Sequence, residues 1–238
     1  MPTTWLVKDI MDDTARECSI TPPSSWLSDT GTTFVQFRNF LKSSVRELLQ
    51  RHDWAAISTD TTFTGAGSSF DLPSDFLRLC EDENAVYETS PMRRRVMPIP
   101  VRGSWTETQE WNWTGVQRYY RLQGSTIEFL DTLPADAEIK MAYVQDTWLV
   151  DVDDARSNTW DGIGDVSLIP GHLIQLNLVW RWRRHKGMTY ADRKAEFESE
   201  FARAVGDDGP TRRVEFTGRK PDERRPWQLP VPDFIPSS

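Results

Sequence analysis

The spacing of apolar positions changes its period twice along the chain. In the first eighteen residues Val7, Ile10, Met11, Thr14, Ala15 and Cys18 recur at helical spacing, with Asp9, Asp12 and Asp13 on the other side. This predicts a helix capped by Thr4 and stopped by Thr21-Pro22-Pro23-Ser24-Ser25. A second helix is predicted from Thr33, which is placed with Gln36 for a capping box. Phe34, Phe37, Leu41, Val45, Leu48 and Leu49 form its apolar stripe, which runs to about His52. After Trp54 the period shortens toward two. Residues 57–63 read as a strand, with Gly65-Ala66-Gly67 as a hairpin turn into Phe70-Asp71-Leu72. Residues 96–101, interrupted by Pro98 and Pro100, read as an edge strand. Residues 117–122 and 126–130 predict a hairpin about Gly124, and 138–144 put Ile139, Met141 and Tyr143 on one face.

The helical period then returns. Pro170 suits a first turn, Leu173, Leu176, Val179 and Trp180 line one face, and Arg183, Arg184, His185 and Lys186 crowd the last turn before Gly187. Thr189 is placed to cap a last helix, with Phe197, Phe201, Ala204 and Val205 as its stripe and Gly206 as its end. The predicted fold class is therefore α+β. Helices in residues 1–54 and 151–206 form a bundle, and residues 55–150 form an inserted antiparallel β-domain of about four to six strands. Residues 207–238 are a Pro-rich, aperiodic arm that cannot build a core of its own.

Charge sharpens the picture of that arm. Between Thr211 and Trp227 the cations Arg212, Arg213, Arg219, Lys220, Arg224 and Arg225 outnumber Glu215, Asp222 and Glu223. That stretch is net +3 in a chain of 238 residues and net charge −8. It leads into Trp227, Leu229, Phe234 and Ile235, apolar anchors at intervals, which is the pattern of a segment that docks on a partner. The acidic whole argues against a protein that grips nucleic acid, because neutralising phosphates needs a cationic face. No apolar run is long enough to span a membrane, and the N-terminus lacks a signal pattern. Cys18 and Cys80 read as free thiols. Eleven tryptophans are the unusual number, and they fit either a core or extensive contact surface. Trp54 and Trp180 read as core, whereas Trp105, Trp111 and Trp113 fall in a polar loop and read as a contact surface.

Catalytic chemistry has no visible constellation. His52, His172 and His185 sit at or near predicted helix ends without partners at ligand spacing. There is no phosphate-cradling loop and no nucleophile elbow. The run Asp151-Val152-Asp153-Asp154 lacks the Gly and terminal Glu of a calcium loop and reads as solvated. The expectation is no catalytic residue, no metal and no cofactor.

The stretch Arg51-His52-Asp53-Trp54, Ile57-Ser58-Thr59-Asp60 and then Phe70-Asp71-Leu72-Pro73-Ser74-Asp75-Phe76-Leu77-Arg78-Leu79 resembles the head-to-tail adaptors of tailed bacteriophages, closest to the tail tubular protein A group. Tyr119-Tyr120, Leu122, Gly124, residues 126–129 and Tyr143, and the helix with Trp180 and Trp182, carry the resemblance further, over roughly residues 33–205. The resemblance implies a structural protein of the virion, at the junction of head and tail. It implies a homo-oligomeric ring of about twelve copies beneath the portal protein. A tail nozzle or a tail tube or terminator protein would be the second partner, and duplex DNA would pass through without specific binding. The portal-docking role would fall to the arm. The competing expectation, from the loop tryptophans, is a carbohydrate-binding module or a small tail-associated hydrolase.

Overall fold

A computed structural model of the chain describes residues 5–81, 85–99, 102–110 and 117–208. In chain order its elements begin with β1 (Trp5–Leu6), α1 (Val7–Glu17) and α2 (Thr32–Arg51). There follow β2 (Ser58–Thr64), β3 (Gly67–Asp71), β4 (Phe76–Leu79), β5 (Val86–Ser90) and β6 (Arg94–Pro98). Next come α3 (Arg102–Glu110), β7 (Arg118–Gln123), β8 (Thr126–Leu133) and β9 (Glu138–Gln145). Short strands β10 (Leu149–Val150), β11 (Arg156–Ser157) and β12 (Val166–Ser167) precede α4 (Gly171–His185) and α5 (Ala191–Asp208). The chain is thus mixed α+β. The described residues belong to one compact unit, which ends at Asp208.

The helical stripes bury what their spacing says they should. Helix α4 packs against α1, α2 and α5. Met11, Phe37, Leu48, Leu173, Ile174, Leu178 and Phe197 meet there with almost no exposure. Rings reinforce the contact, with Phe37 and Trp182 centred 4.4 Å apart. The helix starts differ from the expectation. Thr4 lies outside the described residues, and α1 begins at Val7 with no side-chain cap because Trp5–Leu6 is committed to pairing with β12. The Thr33 and Gln36 capping box does not form either: Thr32 is already helical and Gly31 occupies the cap. At the other end α5 runs through Gly206 to Asp208.

The sheet departs further from expectation. It has eight strands, ordered β2-β9-β5-β6-β7-β8-β3, with β4 pairing the far end of β9. The 65–67 turn is not a hairpin turn. Gly65, at φ +96°, sends the chain from β2 to β3, and these two strands pair with β9 and β8, at opposite ends of the order. The sheet curls so that its first and last strands are joined by that turn. Nor is β6 an edge: β5 and β7 flank it, and Pro98 stands at its last position, while Pro100 lies outside the described residues. The β6–β7 pair is parallel, so the β-domain is not wholly antiparallel. A parallel return needs a long crossover, and the chain through α3 supplies it. The predicted 117–130 hairpin forms as β7 and β8, and β9 buries Ile139, Met141 and Tyr143 on one face. With Val86, Val96, Ile127, Phe129 and Leu133 these residues make a second core, separate from that of the helices. A small sheet, β1-β12-β10-β11, lies beside α1; its two-residue strands carry no period in the sequence.

Candidate functional site

The residues singled out from sequence fall into two groups. Arg212, Arg213, Arg224, Arg225, Trp227, Leu229, Phe234 and Ile235 of the arm lie outside the described residues, as do Trp111 and Trp113. Trp105 is described, and it does not lie in a loop. It sits in α3 at 2% exposure with the Arg121 guanidinium 4.5 Å from its ring centre, so it is packed within the fold rather than displayed. The tryptophan excess follows the same rule. Trp26, Trp54, Trp105, Trp148, Trp180 and Trp182 are buried, and Trp5 and Trp160 are half-buried. Several spend their indole N–H internally: Trp26 on the Asp12 carboxylate at 2.6 Å, Trp54 on the Leu48 carbonyl at 3.0 Å, and Trp160 on the Gly162 carbonyl at 2.7 Å.

The surface feature that the periodicity did not single out is a groove along α2. It encloses about 690 Å³. Leu27, Val35, Arg38, Lys42 and Arg46 form one wall, and Asp146, Trp148, Asn158 and Trp160 stand on the other. Arg38, Lys42 and Arg46 follow one another at helical i, i+4 spacing, so the α2 wall carries three cations in a line. Arg38 is tied down by the Trp26 and Leu27 carbonyls. Lys42 and Arg46 are exposed and make no ion pair among the described residues. On the facing wall Asp146 accepts a hydrogen bond from Asn158 at 2.8 Å. The i, i+4 cations were legible in the sequence; the loop that faces them was not.

Beneath that surface, ion pairs fix the helices to one another. The Glu47 carboxylate accepts from Asn177 at 2.9 Å and Arg181 at 2.5 Å, and pairs Arg51 at 3.2 Å. Burial pushes the Glu47 carboxyl up, but these hydrogen bonds and guanidinium charges outweigh it and hold the group below the usual carboxylate range. Arg51 also pairs Glu198 of α5 at 2.5 Å while its guanidinium lies 4.1 Å from the Phe201 ring centre. Its hydrogen bond to Glu198 pushes its pKa up. At the last residue of α5, Asp208 accepts from His52 at 3.1 Å and from the Ala55 backbone N–H at 2.9 Å. That clamp fixes the point from which the chain continues into residues 209–238.

Inside the sheet, Glu88 is wholly buried and bound by Arg94 and, at 3.2 Å, by Arg118. This constellation holds strands β5, β6 and β7 together. Elsewhere the reactive groups are quiet. Burial pushes the Cys18 thiol up to about 11 and raises Cys80, so neither is a ready nucleophile. Burial lowers His172. Among the described residues no group of three His, Cys, Asp or Glu side chains could hold a metal ion. No described helix is long and apolar enough to cross a membrane. Two surface features stand out among the described residues: the cationic groove on α2, and the end of α5 held by Asp208.

Comparison with curated proteins gives no significant match. A family comparison does match, and it spans the helices, the curled sheet, the groove and most of the basic stretch of the arm: over residues 6–225 the chain belongs to the family described as SU10 adaptor protein.

Proposed function

We propose that this phage adaptor protein forms a ring beneath the portal, docks to it through the arm of residues 207–238, and attaches the tail nozzle or tube while leaving a channel for DNA. The observation that carries the reading is the family match itself, because it runs past Asp208 and takes in the basic residues up to Arg225. Membership of an adaptor family supports a structural role in the virion, in contact with portal and tail proteins and without catalysis. Ring formation, copy number and the narrower kinship with tail tubular protein A belong to the proposal. In it, α1, α2, α4 and α5 form the bundle of each subunit. The charge is suited to the role: a net −8 chain that surrounds duplex DNA repels phosphate and lets it slide, whereas a cationic lumen would hold it.

Burying Trp227, Phe234 and Ile235 in partner grooves contributes about 1.5–3 kcal/mol per side chain, opposed by the entropy of ordering the arm. Docking therefore gains from repetition around a ring. Deletion of residues 211–238 tests this. The truncated chain, which keeps the compact unit ending at Asp208, is expected to melt like the full chain and to leave portal rings bare in electron micrographs. Portals decorated normally by the truncated protein would overturn the role of the arm.

A further inference from the structure

The cationic groove has a counterpart elsewhere on the same molecule. The turn between β10 and β11 exposes Val152 at 80%, and the neighbouring turn exposes Ile163 at 65%, more than any other large hydrophobic side chain among the described residues. The two turns meet: a Cβ on Gly164 would lie 2.5 Å from Val152 Cγ1, so glycine lets them approach without moving the Val152 side chain. Carboxylates ring the pair, with Asp153, Asp154 and Asp161 exposed. The knob is also stiff. Asp151 Oδ1 accepts the Asp153 and Ala155 N–H groups at 2.8 and 2.9 Å, and the buried Asp165 accepts those of Asp161 and Gly162 at 3.2 and 3.0 Å. Two apolar tips held rigidly in an acidic rim cost little entropy to dock and have no role within the fold.

We propose that the α2 groove receives this knob from a second copy of the chain, Val152 and Ile163 entering between Leu27, Val35 and Trp160 while Asp153 and Asp154 meet Lys42 and Arg46. The inference rests on the ring reading above and supplies its contact. Charge selects the occupant. The groove carries three cations against the single carboxylate of Asp146, and the knob is acidic. The chain's own arm is the poorer guest, since residues 211–227 are net +3 and would set cation against cation. The knob does not enter its own groove: none of its residues lines it, and the base of its hairpin, Trp148 and Asn158, forms the opposite wall. A groove on one copy that takes the knob of the next makes a head-to-tail contact, the kind that closes into a ring when the rotation allows.

Charge reversal in the full-length chain provides the test. One variant carries Lys42→Glu and Arg46→Glu, and another carries Asp153→Lys and Asp154→Lys. All four positions are exposed, so thermal unfolding should match the unaltered protein. Native mass measurement, alone and with portal rings, then reads assembly. Each variant alone is expected to lose self-association by roughly tenfold or more, since like charges then face each other. An equimolar mixture should regain it, because each reversed groove meets a reversed knob and each natural groove a natural knob. Variants that assemble as well as the unaltered chain would overturn this contact and leave the ring reading standing. So would variants that lose only portal binding, or a mixture that fails to recover. An unaltered chain that stays monomeric even on portals would overturn the ring reading, and this contact with it.

Discussion

Glu47 and Glu88 each hold two guanidinium groups, one between helices and one inside the sheet. The Glu47 side chain keeps 26% of its exposure and collects Arg51, Arg181 and Asn177 from a surface seam. Glu88 keeps none. Water can replace the partners of the first; it does not reach the second carboxylate, whose partners Arg118 and Arg94 keep 10% and 20% of their exposure. The same chemical pair is thus a modest latch in one half of the molecule and an obligatory pin in the other, and dielectric surroundings set the difference more than distance does.

Removing the pin should cost most. Glu88→Ala leaves Arg118 and Arg94 without their shared carboxylate, and unfolding in urea is expected to show a loss of about 3–5 kcal/mol. The matching change in the helices, Glu47→Ala, should cost about 1–2 kcal/mol by the same measurement, since solvent takes over part of the pairing. Equal losses would erase the contrast. Glu47 also carries a pH signature. Its folded-state pKa lies below its ordinary value near 4.5. Its contribution is therefore present above about pH 4.5 and lost as pH falls through the folded value. An acid titration of stability should be shallower for Glu47→Ala than for the unaltered chain. The smallest effect is expected at Asp208→Ala, about 0.5–1 kcal/mol. It should appear as faster hydrogen exchange in the last turn of α5 and at the Ala55 amide, with the sheet unchanged.

Periodicity made the helical half legible. Phe37, Leu41, Val45, Leu48, Leu173, Val179, Phe197 and Phe201 are buried as their spacing predicts, because a helix satisfies its backbone locally and its face is written in neighbouring residues. The strands were legible one at a time, but not their order. Nothing near Gly65 says that β2 must seek β9 while β3 seeks β8, and nothing near Pro98 says that β7 will cover it. The contact surfaces were harder still. The polar neighbours of Trp105 predict a displayed ring, yet it is buried in the fold with the Arg121 guanidinium over it. The groove needs Asp146 and Trp160 brought opposite α2, which is a property of the tertiary fold alone. The motifs that carry the adaptor resemblance, from Arg51 to Leu79, from Tyr119 to Tyr143 and around Trp180 and Trp182, mark architecture rather than a reactive site.

The smallest sheet sets the order in which the protein can be completed. Trp5 pairs with Ser167, and Ser58 pairs with Val144. A ribosome that has delivered α1, α2 and β2 has made elements whose partners do not yet exist, and α4, on which three helices rest, emerges nearly last. The N-terminal segments must wait with their apolar faces uncovered until most of the chain has been synthesised, so a nascent or truncated form ending before α4 is an aggregation hazard rather than a smaller working adaptor.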